Sequence, residues 1–376
     1  MDKIKILLCG GGTGGHVLPL VEVARSIRKL SPETKIYFVG PEEFSLDPLR
    51  EEGIIIKKII AAGKIRRYFS WWNFIEPLKV PLALVQSFYL ILFINPDVVL
   101  GKGSYGSIWP ILAAWILRKK IILHESDAIP GLANRFLSKF TPNIALAFEE
   151  TKKFFPHKKT YTVGNPVRLK YLGLTKPEAK EILGPEKTDH VTSIRSYARA
   201  TIFISGGSQG AQRINNIILR IIDNLLRDYA VIWSVGSNNY ADVKHRVSNA
   251  SDLKIVPLLS EKELASAYIL CDLAIGRAGA GTIFELAAFE KPSILIPLER
   301  NGGDQPFNAR AYAGTGAAVV LKESDLTAPK LLDMLDKILS DSNLLATMSQ
   351  KAKEFAKIEA GDNLAVILLN LATSNK

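Results

Sequence analysis

His16 stands directly behind a run of glycines, in the string Ile4 to His16 (IKILLCGGGTGGH). If a helix begins there, its positive end favours the neutral imidazole, which near neutral pH can take a proton from an attacking hydroxyl. The structural alternative is a histidine that caps its own loop. A second candidate region runs from Asp272 to Pro297 (DLAIGRAGAGTIFELAAFEKPSILIP). It reads as a strand, a glycine-containing turn and a helix with Glu285 in its first turn. The turn's N–H groups suit a phosphate and the Glu285 carboxylate suits the two hydroxyls of a ribose, a division of labour that fits a nucleotide sugar. Alternatively Glu285 complements the helix dipole. Arg277 either meets a phosphate or closes a surface pair, and Gly303 to Asn308 (GDQPFN) reads as a polar loop able to hold sugar hydroxyls or as a solvated turn.

These residues need strands that end in glycine turns, and the pattern is written twice, at Ile4 to His16 and at Thr201 to Ala211 (TIFISGGSQGA). In the first half, strands are expected at Ile4 to Leu8, Lys35 to Val39, Ile54 to Ile60 and Lys120 to His124, with a further strand and glycine turn in the string VVLGKGSYG that follows Pro96-Asp97. Helices are expected at Pro19 to Leu30 and Ser107 to Leu117. Gly184 to Ala200 is polar and without period, as in a surface loop. Beyond it, strands are expected at Ala230 to Ser234, Lys254 to Val256, Leu273 to Ile275, Ser293 to Pro297 and Ala318 to Leu321. Helices Lys351 to Ala360 and Asn363 to Ala372 close the chain. Apolar strands alternating with helices call for α/β architecture with mostly parallel sheets. The second strand ends in Gly40-Pro41, without the acidic residue that a nicotinamide-dinucleotide fold places there.

With 376 residues, two domains are expected. Apolar residues at 47% and charged residues at 23% exclude a disordered chain. Cys9 and Cys271 lie in or beside apolar runs, with no disulfide framework or zinc spacing, which fits a reducing cytosol. The amino terminus reads as a core strand and not as a signal peptide. A net charge of +11 suits anionic partners, but no basic stripe with stacking aromatics or known module points to nucleic acid. No pair of carboxylates at a strand end suggests a metal.

Six strings in order identify a family resemblance: GGGTGGHVLP at Gly10 to Pro19, HESDAIPGLANR at His124 to Arg135, GNPVR at Gly164 to Arg168, GGSQGAQRIN at Gly206 to Asn215, RAGAGTIFEL at Arg277 to Leu286 and DQPFNA at Asp304 to Ala309. Together they resemble, almost end to end, the bacterial peptidoglycan glycosyltransferases that add N-acetylglucosamine to lipid I to make lipid II. The resemblance implies a GT-B fold, in which two Rossmann-like domains with parallel sheets face each other across a cleft. It implies an acceptor and membrane domain over residues 1–166, a UDP-sugar domain over 167–350, and terminal helices over 351–376 that return to the first domain.

It further implies that Thr13, Gly14 and Gly15 approach the donor's sugar and diphosphate, beside His16, the candidate base read above from its place at the helix start. Asn134 lies near the reacting sugar, while Arg168 and Ser208 lie near the diphosphate. Leu259 matches the uracil-reading position, although two extra residues fall near Ser260 to Glu263. Ala280, Gly281, Thr282, Ile283, Phe284 and Glu285 follow the phosphate and ribose loop, and Gln305 matches a glutamine on the sugar hydroxyls. Lys102, Tyr105 and Glu125 fall on the acceptor or diphosphate side. Here the chain departs from the family: Gly101 to Gly106 (GKGSYG) replaces a GFGGYVS-like string and adds a positive charge, His124 to Asp127 (HESD) replaces HEQN, and Asp304 stands where histidine is common.

The implied substrates are UDP-N-acetylglucosamine and lipid I, with no cofactor and no essential metal. A lipid-linked acceptor places the enzyme on the cytoplasmic face of the inner membrane, alongside proteins of wall synthesis and division. Lys64, Arg66, Arg67, Phe69, Trp71 and Trp72 mix cations with aromatics just ahead of the apolar stretch Val80 to Ile94, which is too short to span a bilayer. Such a mixture suits an anionic membrane surface, and a core helix with a basic flank is the alternative. A diacylglycerol glycosyltransferase, a UDP-sugar epimerase and a non-catalytic UDP-sugar sensor are the competing readings.

Overall fold

The computed structural model describes residues 3–41, 45–59, 72–184, 200–207, 210–248, 250–299 and 303–374, with backbone only over 72–78. The chain divides into two compact units, Met1–Val167 with Lys357–Lys376, and Arg168–Ala356.

In the first unit, strands β1 (Lys5–Cys9), β2 (Lys35–Gly40), β3 (Ile55–Lys58), β4 (Val98–Gly101), β5 (Lys120–Glu125), β6 (Asn143–Leu146) and β7 (Lys159–Thr162) pair in parallel, in the order β3-β2-β1-β4-β5-β6-β7. The connecting helices are α1 (Gly14–Leu30), α2 (Asp47–Glu51), α3 (Trp72–Ile94), α4 (Ile108–Ile116) and α5 (Leu132–Leu137). Strand alternation builds two cores on one sheet. Ile6 and Leu8 face α1 with Leu20 and Ile27, whereas Leu7 and Cys9 face Val99, Ile111 and Leu123.

The second unit repeats the plan. Strands β8 (Thr201–Ser205), β9 (Ala230–Ser234), β10 (Leu253–Val256), β11 (Leu273–Gly276), β12 (Ser293–Leu295) and β13 (Ala318–Val320) take the order β10-β9-β8-β11-β12-β13. Its helices are α6 (Lys176–Leu183), α7 (Gln212–Asp228), α8 (Tyr240–Arg246), α9 (Glu261–Leu270), α10 (Ala280–Ala288), α11 (Gln305–Ala313), α12 (Ala328–Leu339) and α13 (Ser342–Phe355). The last helix, α14 (Ala360–Thr373), belongs to the first unit, where Leu364 and Leu368 complete the core against α1 and Lys29 pairs with Asp362 at 2.9 Å.

In each sheet the strand order reverses beside the first strand, between β1 and β4 and between β8 and β11. Ligands of doubly wound sheets bind outside the carboxyl ends of strands at such switch points. All the glycine turns singled out above leave those ends.

Three expectations need correction. Helix α1 starts at Gly14, ahead of Pro19, which lies inside it. Pro19 lies past the first turn, where it removes the bond to Gly15's carbonyl and crowds that oxygen, and the helix nevertheless begins at the glycine turn and not at the proline. Helix α13 stops at Phe355, because Ala356 turns to an extended conformation (ψ 138°) just before the chain returns to the first unit. Strands β6 and β7 were missed: β7 (KTYT) is a polar edge strand without the apolar run by which the others are read, and β6 is only four residues long.

Candidate active site

In the first unit, Gly11 and Gly12 have φ of 140° and 91°, which L side chains rarely adopt. A Cβ on Gly12 would also stand 3.0 Å from the Tyr105 ring. The turn therefore packs against Tyr105 and delivers Thr13 as the N-cap of α1. Thr13's hydroxyl caps none of the helix N–H groups, and His16 follows in the first turn, half-buried. Thr13, Gly14, Gly15 and His16 are thus gathered at the amino end of one helix, where N–H groups and the helix dipole favour an anion.

Behind that turn lies a buried polar cluster. Lys102 is only 2% exposed, and its Nζ donates to Asn165 Oδ1 at 3.2 Å. Burial lowers its pKa to about 8, against the opposing pull of Asp127 and Glu125. The positive charge that Lys102 adds to this loop is thus held inside the unit, its side chain directed inward while the next residues bend away. Gly103 and Ser104 have φ of 79° and 70°. That conformation is strained for serine, which takes the place of a glycine in the family's string.

Glu125 is equally buried. It accepts N–H bonds from Asp127 at 3.0 Å and Gly131 at 3.1 Å and an amide bond from Asn134 at 2.9 Å. Desolvation raises its pKa despite these donors. His124, fully buried, sits 2.9 Å from the Gly164 carbonyl through Nε2. Burial and then the charge of Lys102 push its pKa well down, so it stays neutral and donates that bond. Glu125 and Lys102 hold the loops in place; neither lies open on an acceptor surface. Asn134 is buried too, with its amide turned to His124 and Glu125 and its Oδ1 without a protein partner.

In the second unit, a Cβ on Gly206 would lie 2.4 Å from the Ala211 nitrogen, so only glycine permits the turn between β8 and α7. Ser208, in this turn, lies outside the described residues. Asn215 is structural, accepting from Trp233 Nε1 at 3.1 Å and donating to the Val235 carbonyl at 2.9 Å. Leu259 is half-buried after β10, and the stretch Ser260 to Glu263 beside it forms a capping box that opens α9.

The turn after β11 is N-capped by Gly279. An added Cβ on Gly279 or Gly281 would meet nothing within 4 Å. Packing therefore does not demand glycine there, and the backbone is left open to a ligand. Ala280 to Thr282 form the first turn of α10. Ile283 and Phe284 are buried in it, and Glu285 comes in the second turn, which corrects its expected place in the first. Glu285 is 7% exposed and is no dipole ornament: Arg168 donates to its Oε1 from Nε at 2.9 Å and Nη2 at 2.7 Å, and Tyr268 donates to Oε2 at 3.3 Å. Burial opposes the Arg168 charge, but Glu285 outweighs it and holds the guanidinium pKa above its ordinary value. Arg277 is bound to the Ile296 carbonyl and paired with Glu323, a largely buried pair rather than the surface pair expected as its alternative. Gln305 opens α11 and accepts the Leu298 N–H at 2.9 Å, which leaves its amide nitrogen directed elsewhere.

Tyr268 was missed by sequence reasoning. It lies 17 residues before Glu285 on another helix, and no local pattern signals the contact. Among the described residues no group of three or more His, Cys, Asp or Glu is placed to hold a metal ion.

Of the expected membrane patch, Lys64, Arg66, Arg67, Phe69 and Trp71 lie outside the described residues, and Trp72 is described only as the start of α3. Further along α3, Ala83, Ser87 and Ile91 turn inward, whereas Leu82, Val85, Tyr89, Leu92 and Phe93 are exposed, Phe93 by 81%. No helix among the described residues is long and apolar enough to cross a membrane.

Residues 6–146 match the glycosyltransferase family 28 N-terminal domain and residues 201–363 the family 28 C-terminal domain. A protein of Salinibacter ruber named UDP-N-acetylglucosamine--N-acetylmuramyl-(pentapeptide) pyrophosphoryl-undecaprenol N-acetylglucosamine transferase is 34% identical, over 98% of this chain and 96% of its own. The Caldicellulosiruptor saccharolyticus protein of the same name is 35% identical, over 97% of each. The crystal structure of Acinetobacter baumannii MurG superposes with a TM-score of 0.72 at 25% identity, covering 98% of this chain and 99% of that one. A UDP-N-acetylglucosamine 2-epimerase, at 13% identity and a TM-score of 0.66, shares the fold. With motifs, paired sheets and full-length relatives in agreement, the chain belongs to the family of UDP-N-acetylglucosamine--N-acetylmuramyl-(pentapeptide) pyrophosphoryl-undecaprenol N-acetylglucosamine transferases.

Proposed function

We propose that this enzyme transfers N-acetylglucosamine from UDP-N-acetylglucosamine to the muramyl 4-hydroxyl of lipid I, forming lipid II with inversion at the sugar. The observation that carries the reading is the pair of amide-lined turns at equivalent switch points, one followed by His16 and the other by the buried carboxylate of Glu285. The acceptor oxygen forms a bond to carbon 1 of the α-linked donor as the bond from carbon 1 to the phosphate oxygen breaks and UDP departs. His16 takes the hydroxyl proton. Charge growing on the diphosphate is offset by Arg168 and by N–H groups at helix ends, without a metal.

The test is incubation with UDP-N-acetylglucosamine and lipid I in excess chelator, followed by mass analysis of the lipid. A gain of one N-acetylhexosamine is expected. Sugar transfer to diacylglycerol instead, epimerised UDP-sugar, or tight UDP binding without turnover would each replace this reading with one of its rivals, and activity lost to chelator and restored by divalent metal would overturn the metal-free account.

The exposed apolar face of α3 supports docking on the cytoplasmic leaflet, where lipid I is presented. The cations Lys64, Arg66 and Arg67 just before it in sequence suit anionic headgroups. Placing glutamate at both Leu82 and Phe93 should weaken binding to phosphatidylglycerol vesicles by about tenfold or more, since each large apolar side chain buried is worth ~1.5–3 kcal/mol. Vesicle sedimentation measures this, and unchanged binding would move the membrane surface elsewhere.

A further inference from the structure

We infer that Arg168 and Glu285 mask one another in the free protein, so that the site opens only to a ligand carrying a ribose and a diphosphate together. The inference rests on the reading that Glu285 holds the ribose and Arg168 the diphosphate. Nothing in that reading requires the two side chains to be bonded to each other.

An ionised carboxylate offers about four acceptor positions. Arg168 fills two on Oε1 and Tyr268 fills one on Oε2, so about one remains. Two ribose hydroxyls need two. Tyr268 is the fixed donor: it is buried, its ring set edge-on to Phe203 at 5.4 Å and stacked on Phe289 at 5.2 Å. Arg168 is the partner able to leave, since it lies on the connection outside any helix or strand and its side chain keeps 22% of its surface exposed.

Withdrawing the guanidinium from a carboxylate 7% exposed is unfavourable unless it meets another anion. A diphosphate joined to the same ribose supplies that anion. A nucleoside must break the ion pair and offers nothing in return, and free pyrophosphate captures Arg168 at the cost of stranding Glu285. The pair therefore selects a nucleoside diphosphate over either fragment.

Calorimetric titration of the full-length protein at pH 8 with UDP, uridine, pyrophosphate and 2′,3′-dideoxy-UDP tests this. For Arg168→Ala, or Arg168→Gln should the alanine variant melt early, UDP affinity should fall about tenfold or more, while uridine affinity rises several-fold because Glu285 is unmasked. For Glu285→Gln, pyrophosphate affinity should rise several-fold as uridine affinity falls. A simple phosphate contact at Arg168 predicts unchanged uridine binding, and a purely structural pair predicts that both fragments bind worse; either result overturns the masking. If wild type fails to prefer UDP to its dideoxy analogue, the ribose reading itself falls, and that outcome is separate from the signs of the mutational effects.

Discussion

Replacing His16 with alanine should lower kcat by about 10²–10⁴-fold, the usual worth of a positioned general base, and leave UDP affinity nearly unchanged. The side chain projects from the first turn of α1, whose N–H groups come from the backbone and survive the substitution. An alcohol attacks carbon 1 poorly while it keeps its proton, so the loss belongs to the chemical step and not to donor binding. The acidic limb of the kcat profile, set by protonation of the base, should disappear in the variant. Steady-state kinetics on lipid I with calorimetric UDP titration separates the two quantities. Normal turnover, or an intact acidic limb, would assign the proton to another group.

The largest effect on stability is expected at Glu125. Glu125→Ala removes the acceptor for Asp127, Gly131 and Asn134 together, and leaves the buried ammonium of Lys102 with Asp127 as its remaining acidic neighbour. Breaking a buried charge arrangement by deleting one member costs about 3–5 kcal/mol, to be read as an earlier urea midpoint of the first unit. Lys102→Met supplies a pH test. The folded-state pKa of Lys102, about 8, is below its ordinary 10.5, so between these values the unfolded chain binds more protons. This residue thus makes stability rise with pH across that window, with no such contribution below it. The variant should lose that rise; an unchanged slope from pH 8 to 10.5 would show that Lys102 keeps its full charge when folded.

Chain order and composition were enough for the doubled α/β plan, the glycine turns and the place of His16. These are local: apolar runs, breaks at glycine, and a helix that must begin where a strand stops. Glycine at 206 is legible for the same reason, since the turn from strand to helix closes within five residues. The family strings mark the turns of the candidate site, because each turn carries its candidate residues within a few positions of the backbone that shapes them.

What the tertiary structure alone decided is where the charges point. Lys102 read as an added positive charge on the acceptor or diphosphate side, and the fold turns it inward beside the left-handed Gly103 and Ser104, to Asn165, 63 residues away in sequence. Glu285 read as open for two hydroxyls, yet Arg168 and Tyr268, from a connection and from a neighbouring helix, occupy most of it. A charge is positioned by whatever lowers its desolvation cost, and its partners are brought near by sheet order and helix packing rather than by spacing along the chain. Sequence therefore names the chemistry, and only the fold determines which groups are already engaged before a substrate arrives.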